Sequence, residues 1–312
     1  MNPTLVAGSA NEALAAAVAN GLGVDLMPCT RERFPDGEAH VSVEGNLRGR
    51  DVYVVQPTGP PTDAHLVELL LLVDACRRAG AERLTAVVPY FGYARQDRRR
   101  ATGEPVSARV VADLLGSVRV DRVLTVDPHT RSLEAMFEAP VHAVSAVPVL
   151  AAAIRPHLHA PAVLVAPDLG AVKLAEGYAA LLGLPVAVVR KTRLSGESVR
   201  ADQVVGTVRD RVPVVVDDMI TTGETVAAAA RALTGVGSTA GLVVAATHGL
   251  LVGRAPEVLG TLGPEVVLVT DTVAVPGTAA LPVEVVSVAG LLACAIDHLH
   301  RDRSLRDLVE YR

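Results

Sequence analysis

The sequence predicts an α/β protein with parallel sheets covered on both faces. Three observations lead there. Short β-branched runs recur along the chain, and helix-period segments separate many of them. The runs are almost continuously apolar, as strands buried on two sides must be. One of them closes on two adjacent carboxylates, which marks an open strand end rather than a sheet interior.

The expected strands are Asp51–Gln56, Leu84–Pro89, Val123–Asp127, Ala162–Ala166, Val186–Val189, Val212–Val216, Leu242–Ala246 and Val266–Thr270. Helical periodicity appears in Asp63–Ala79, Ser107–Leu115, Val172–Leu182 and Thr225–Leu233. Gly80 and Gly235 stand where they would stop two of these helices, since glycine alone enters the left-handed region without cost. Asp51–Arg95 and Arg211–Gly253 share one order of strand, turn, long helix, glycine, strand and loop. Two domains, 1–146 and 147–312, follow from that repeat and from the length of 312 residues. In the first copy the turn reads Gln56-Pro-Thr-Gly-Pro-Pro; in the second it carries Asp217 and Asp218.

Composition excludes several classes. A net charge of −5 gives no electrostatic case for nucleic acid or an anionic membrane as partner. No apolar run reaches the ~18 residues a membrane span needs, and the N-terminus lacks a basic segment followed by an apolar core. Cys29, Cys76 and Cys294 are dispersed and in no metal-ligand spacing, so reduced, mostly buried thiols in the cytoplasm are expected. Of 29 basic residues only Lys173 and Lys191 are lysines, so arginine is this chain's default cation and each lysine is a candidate place for a compact ammonium.

Ligands of open α/β sheets gather beyond the carboxyl ends of the strands. The second-domain turn, Asp217-Asp218-Met-Ile-Thr-Thr-Gly-Glu-Thr225, sets acids beside a helix N-terminus whose N–H groups attract anions. Hydroxyl acceptors next to an anion cradle suit a sugar phosphate. Tyr90-Phe-Gly-Tyr-Ala-Arg-Gln-Asp97 mixes aromatic rings with Arg95, a set able to stack on a base and pair with phosphates. Asp127-Pro-His129, if extended, turns a carboxylate and an imidazole the same way, as a metal pair requires. Asp168 follows another strand, and Lys191 and Arg193 lie close together after a third. Arg33-Phe-Pro-Asp-Gly-Glu38 reads as a turn with two acids about a glycine. Jointly this is an inventory for phosphoryl or diphosphoryl transfer from a nucleotide; no Gly-x-x-x-x-Gly-Lys-Ser/Thr is present, so the route is not of the Walker type.

Phe34-Pro-Asp-Gly-Glu38, Glu68-Leu-Leu, Pro89-Tyr-Phe-Gly-Tyr-Ala-Arg-Gln-Asp97, Asp127-x-His129, Pro167-Asp168-x-Gly170, Lys191-Thr-Arg193, the 214–225 loop and Thr247-His-Gly249 occur in one order along nearly the whole chain. In this the sequence resembles the ribose-phosphate pyrophosphokinases (phosphoribosyl-diphosphate synthetases). The resemblance implies two similar phosphoribosyltransferase-like domains, the first binding ATP and the second ribose 5-phosphate. By position it assigns Asp36, Gly37, Glu38, Arg95 and Gln96 to ATP, and His129, Asp168 and Asp127 to Mg²⁺. It assigns Asp217 and Asp218 to the ribose hydroxyls, and Thr221, Thr222, Gly223, Glu224 and Thr225 to the 5-phosphate. Lys191 and Arg193 become the catalytic pair, and a homo-oligomer between dimer and hexamer is implied.

The sequence also departs from the family. The widespread bacterial and eukaryotic enzymes have an acid where Thr221 stands and a glutamine-rich stretch where this chain has Arg131-Ser-Leu-Glu-Ala-Met-Phe. Asp127-Pro-His, Lys-Thr-Arg-Leu-Ser and Thr221 are more similar to the archaeal type, which implies weak control by ADP and phosphate. Glu224 puts an acid beside the phosphate, where it should repel unless turned away. Two alternatives share part of the pattern: a phosphoribosyltransferase, which needs only one such domain, and a non-catalytic regulatory relative, which would be expected to have lost Lys191, His129 or the nucleotide-binding acids.

Overall fold

The computed structural model describes residues 2–159, 161–195, 198–277 and 281–309, and of residues 191–202 only the backbone. The chain divides into two compact units: Met1–Ser145 with Thr272–Ala274 and Ser287–Glu310, and Ala146–Asp271 with Val275–Val286. The first unit is therefore not continuous in sequence. The domain expected over 147–312 gives up its last helix to the other unit, a return that local periodicity does not encode.

In the first unit the order is β1 (Thr4–Ala7), α1 (Glu12–Leu22), β2 (Cys29–Arg33), β3 (Ala39–Val43), β4 (Asp51–Val55), α2 (Thr62–Arg78), β5 (Arg83–Val88), α3 (Ser107–Ser117), β6 (Arg122–Val126) and β7 (Val141–Val144). Five strands form a parallel sheet in the order β1-β4-β5-β6-β7, while β2 and β3 make a separate antiparallel hairpin. β4 is buried at every residue, which accounts for its unbroken apolar run. Leu66, Leu69, Leu72, Val73 and Cys76 of α2 join Val111 and Leu115 of α3 in one core against Val52, Val54, Leu84, Ala86 and Val123. Gly80 follows α2 at φ +96°, the helix stop expected of it.

The second unit runs α4 (Val147–Ile154), β8 (Ala162–Ala166), α5 (Val172–Leu182), β9 (Val186–Ser195), β10 (Ser198–Val205), β11 (Val212–Ile220), α6 (Glu224–Gly235), β12 (Val243–Gly249), α7 (Ala255–Gly260), β13 (Val266–Thr270) and β14 (Val283–Val286). Its sheet order is β10-β9-β8-β11-β12-β13-β14, parallel except for the β9–β10 hairpin. Here α6 continues through Gly235, and the left-handed break falls at Gly237 with φ +85°.

The chain then returns to the first unit as α8 (Ala289–His300), which buries Leu292, Ala293, Ala295, Ile296 and Leu299. It packs on α1 so closely that a Cβ on Gly21 would sit 3.1 Å from the Ala293 methyl. Its end is fastened to the amino edge of the first sheet. Buried Asp51 Oδ2 meets Arg83 Nη2 at 2.6 Å and His300 Nδ1 at 2.7 Å, and Arg122 donates to the Leu299 carbonyl at 3.1 Å.

Of the cysteines, which are free, only Cys76 is buried; Cys29 is half-buried and Cys294 exposed, so the expectation of mostly buried thiols is not met. Cys294 lies on the outer side of α8. Burial pushes the Cys76 thiol up to about 12, so it is inert at neutral pH. Among the described residues no helix is long and apolar enough to cross a membrane.

Candidate active site

The strand order of the second unit reverses between β8 and β11: β9 and β10 lie beyond β8 on one side, β12 to β14 beyond β11 on the other. Crevices at such switch points are where open α/β sheets take ligands. Acids stand at the carboxyl-end side of both strands. Asp168 follows β8, and its Oδ1 accepts the N–H groups of Gly170 at 2.8 Å and Ala171 at 3.2 Å, which fixes the carboxylate ahead of α5.

Asp217 and Asp218 were expected beyond the strand but lie within β11, which runs on to Ile220. The reason is unequal pairing. β11 leaves β8 after Val215, whereas its ladder to β12 continues past Asp217, opposite Ala246, to Ile220. The acids thus stand where the sheet has frayed on one side. Asp217 Oδ1 accepts the Asp218 N–H at 2.9 Å. Burial, then the charge of Asp218 and more distantly that of Asp168, pushes the Asp217 carboxyl up to about 8.

The turn that follows reaches α6 through Gly223, at φ +78° with no side-chain cap. A Cβ there would lie 3.0 Å from Leu259, so conformation and packing both ask for glycine. The carbonyls of Ile220 and Thr221 accept the N–H groups of Leu251 and Val252 at 3.1 and 2.9 Å, which pins the turn from one side. The first amides of α6 have no partner within the helix and form an anion seat. Thr222 and Glu224 are exposed, while Thr221 and Thr225 are half-buried. Glu224 stands in the first turn of α6, and the nearby Arg254 guanidinium is already paired with Glu257 at 2.8 Å, which is what chiefly raises its pKa.

Lys191 and Arg193 were expected just after a strand that ends at Val189. β9 instead continues through them, Lys191 opposite Ala201 and Arg193 opposite Val199 of β10. Their side chains lie outside the described residues.

In the first unit Asp36, Gly37 and Glu38 occupy the exposed tip of the β2–β3 hairpin, where Asp36 Oδ1 accepts the Glu38 N–H at 3.1 Å and Gly37 takes φ +94°. Arg95 and Gln96 are exposed on the loop after β5. Gln96 Oε1 accepts the Ser107 hydroxyl at 2.7 Å, tying the loop to the start of α3. The aromatic platform expected beside Arg95 is not there. Tyr90 and Phe91 are buried, Phe91 edge-on to Phe137 at 5.7 Å, and the Tyr93 hydroxyl bonds to Asp63. Rings so apolar are worth more in the core than on a solvated loop.

Nor is Asp127-Pro-His129 extended: Asp127 is buried at φ +36° and His129 is exposed, so the two do not share a strand face. The Thr247-His248-Gly249 segment is buried at the end of β12, where a Cβ on Gly249 would meet Val269 at 2.8 Å. Among the described residues no three His, Cys, Asp or Glu groups converge as a metal shell.

Sequence comparison accounts for this layout. Residues 3–118 match the N-terminal domain of ribose phosphate pyrophosphokinase, residues 146–252 the phosphoribosyl transferase domain, and residues 200–310 the phosphoribosyl synthetase-associated domain. Ribose-phosphate pyrophosphokinase of Gloeobacter violaceus is 41% identical over 97% of this chain and 92% of its own. That of Rhodopirellula baltica is 40% identical over 99% and 98%. The chain belongs to the ribose-phosphate pyrophosphokinase family. The crystal structure of phosphoribosylpyrophosphate synthetase from Mycobacterium smegmatis superposes with a TM-score of 0.90 at 38% identity, covering 97% of this chain and all of that one. Both phosphoribosyltransferase-like units of the pyrophosphokinase family are therefore present, which disfavours the single-domain transferase.

Proposed function

We infer that the chain is a ribose-phosphate diphosphokinase. It transfers the β,γ-diphosphoryl group of ATP to the C1 hydroxyl of ribose 5-phosphate, giving phosphoribosyl diphosphate and AMP for nucleotide synthesis. The observation that carries the reading is the acid pair at the frayed end of β11, followed at once by the uncapped N-terminus of α6. Asp217 and Asp218 accept the ribose hydroxyls, and residues 221–225 seat the 5-phosphate. Arg95 and Gln96, with Asp36, Gly37 and Glu38, hold ATP.

The sugar C1 hydroxyl oxygen attacks the β-phosphorus and gives up its proton to solvent, the bond from that phosphorus to the α,β-bridging oxygen breaks, and AMP departs with the electron pair. Lys191 and Arg193 supply positive charge to the moving group, where catalysis is chiefly positioning and charge stabilisation.

The donor set fits Mg²⁺, which takes oxygen ligands, keeps several waters and is completed by substrate phosphates rather than by a protein cage. Asp168 offers a carboxylate already oriented by two amides. His129, with Asp127, would be the first unit's contribution to holding the metal. Bound Mg²⁺ would supply charge neutralisation of the phosphates. A cytoplasmic homo-oligomer, dimer to hexamer, completes the reading and is checked by light scattering on the purified chain.

The test is AMP release from ATP by the purified chain. Release that requires both ribose 5-phosphate and Mg²⁺ is expected. Absence of AMP under every metal and phosphate condition would sink the reading and favour a non-catalytic relative. Consumption of phosphoribosyl diphosphate with a free base would favour a transferase.

A further inference from the structure

Asp97 is the one residue of the Arg95-Gln96-Asp97 run whose side chain turns inward, 9% exposed while Arg98 beside it is 74% exposed. Its two oxygens face two loops at once. Oδ1 and Oδ2 accept Arg98 Nε and Nη2 at 2.8 and 2.7 Å, which holds the Arg95–Arg98 turn. Oδ2 also accepts the Ser132 hydroxyl at 3.1 Å, from the loop that begins at His129. Thr130 adds a bond of its own to Asp97, and its Oγ1 lies 2.7 Å from the Ser132 Oγ. Thr130 meanwhile caps the short helix Arg131–Met136 by accepting the Ser132 N–H at 3.3 Å. Guanidinium and hydroxyl partners together hold the Asp97 carboxyl far below the usual carboxylate range, so it stays an acceptor at any working pH.

Gln96, next to it, is fixed independently: its N–H donates to Tyr93 at 2.8 Å, its carbonyl accepts from Ala108 at 3.2 Å, and its side chain accepts from Ser107. Asp97 is therefore spared for the cross-link. Of the two hydroxyls it uses, Ser132 falls within Arg131–Phe137 and Thr130 just before it.

We propose that Asp97 is a positioning residue that locks the nucleotide loop of Arg95 and Gln96 to the His129 loop through Thr130 and Ser132, so that the groups for ATP and for its Mg²⁺ are set as one body. The proposal rests on the assignment of Arg95 to ATP. It requires no contact between Asp97 and substrate: the carboxylate acts by fixing where the Arg95 guanidinium and the His129 ring stand, and small misplacements of such groups are costly.

The experiment measures kcat, the KM for each substrate, the Mg²⁺ concentration for half-maximal rate and the melting temperature of the full chain and its D97N, S132A, D97N/S132A and R95A variants. D97N is expected to raise the ATP KM by about 10-fold or more, and to raise the Mg²⁺ requirement with it, as displaced contacts do. The ribose 5-phosphate KM should stay within about twofold, and S132A, mild alone, should add nothing in the D97N background, since both cut one link. An ATP KM and Mg²⁺ requirement unchanged in D97N would overturn the proposal. So would equal loss in every parameter in step with a falling melting temperature, which is what a merely structural residue gives. If D97N does not fold, S132A decides: a raised ATP KM at an unaltered melting temperature upholds the cross-link, and no change overturns it. R95A reports separately on the underlying reading, because an unchanged ATP KM there removes ATP from this loop whatever Asp97 does.

Discussion

The residue after the last core valine of a central strand is Gln56 in the first unit and Asp217 in the second. Gln56 is fully buried and spent on the fold: its Oε1 accepts the Ala10 N–H at 3.0 Å and its Nε2 donates to the His65 carbonyl at 3.4 Å. Beside it, the turn after β1 could cradle an anion, but the chain fills it. Ser9 gives both its N–H and its hydroxyl to the two oxygens of buried Glu68, each at 2.6 Å. In the second unit the equivalent acid is left against two others, with its carboxyl raised to about 8. One unit closes its own polar account and becomes scaffold at that edge. The other gathers its acids at the end of the sheet, just ahead of the uncapped N-terminus of α6, where the proposed sugar phosphate would bind.

The largest break in this contrast should come from the second unit. Lys191→Ala is expected to cut turnover by ~100-fold or more, the usual loss for one transition-state donor, with ribose 5-phosphate affinity little moved. Steady-state kinetics checks it, and unchanged turnover removes Lys191 from the mechanism. Asp217→Asn comes next, raising the ribose 5-phosphate KM by about 10-fold or more, because an amide offers one acceptor oxygen where the carboxyl offers two. An unaltered KM would count against the hydroxyl role.

The same carboxylate sets a pH test. Its folded pKa of about 8 lies above its ordinary 3.8, so the folded chain retains a proton that the unfolded chain has lost. The stability this confers is fully present below the unfolded pKa and is lost as pH rises through the folded one. The metal-free chain should therefore melt lower at about pH 8.5 than at about pH 5, and Asp217→Asn should flatten that part of the slope. A slope unchanged in the variant would place the pH dependence elsewhere.

Glu68→Gln, in the scaffold, is expected to cost about 1–3 kcal/mol in denaturant unfolding, the range for a lost charged hydrogen bond on a buried group, with ribose 5-phosphate affinity intact in the folded protein. A changed sugar affinity would erase the distinction between the units. The smallest effect belongs to Glu224→Gln. Removing an exposed charge beside the phosphate seat should tighten ribose 5-phosphate by no more than about fivefold, the scale of surface electrostatics.

Apolar runs made the central strands legible: β4, β5, β6, β8, β11, β12 and β13 fall close to where the sequence puts them. The β2–β3 hairpin was not legible, because Cys29–Arg33 is only half-buried and charged, and read as loop. β1, β7 and β14, at four residues each, are too short for alternation to register. The acids of β11 announced themselves by standing in an apolar run. Tyr90 and Phe91 misled because a ring in a basic loop looks like a platform, and only packing tells that it points inward. The left-handed backbone of Asp127 has no sequence signal at a non-glycine position.

The return of α8 to the first unit has a consequence for synthesis. Residues 146–286 leave the ribosome before Ala289–His300, so the second unit has its whole sheet available while the first still waits for α8 and the His300–Asp51 fastening. The amino-terminal half, made first, is the half completed last. A nascent or proteolytically shortened chain that stops short of residue 289 should hold a finished second unit and a first unit with an open flank, and should look to a chaperone or protease like an unfinished protein.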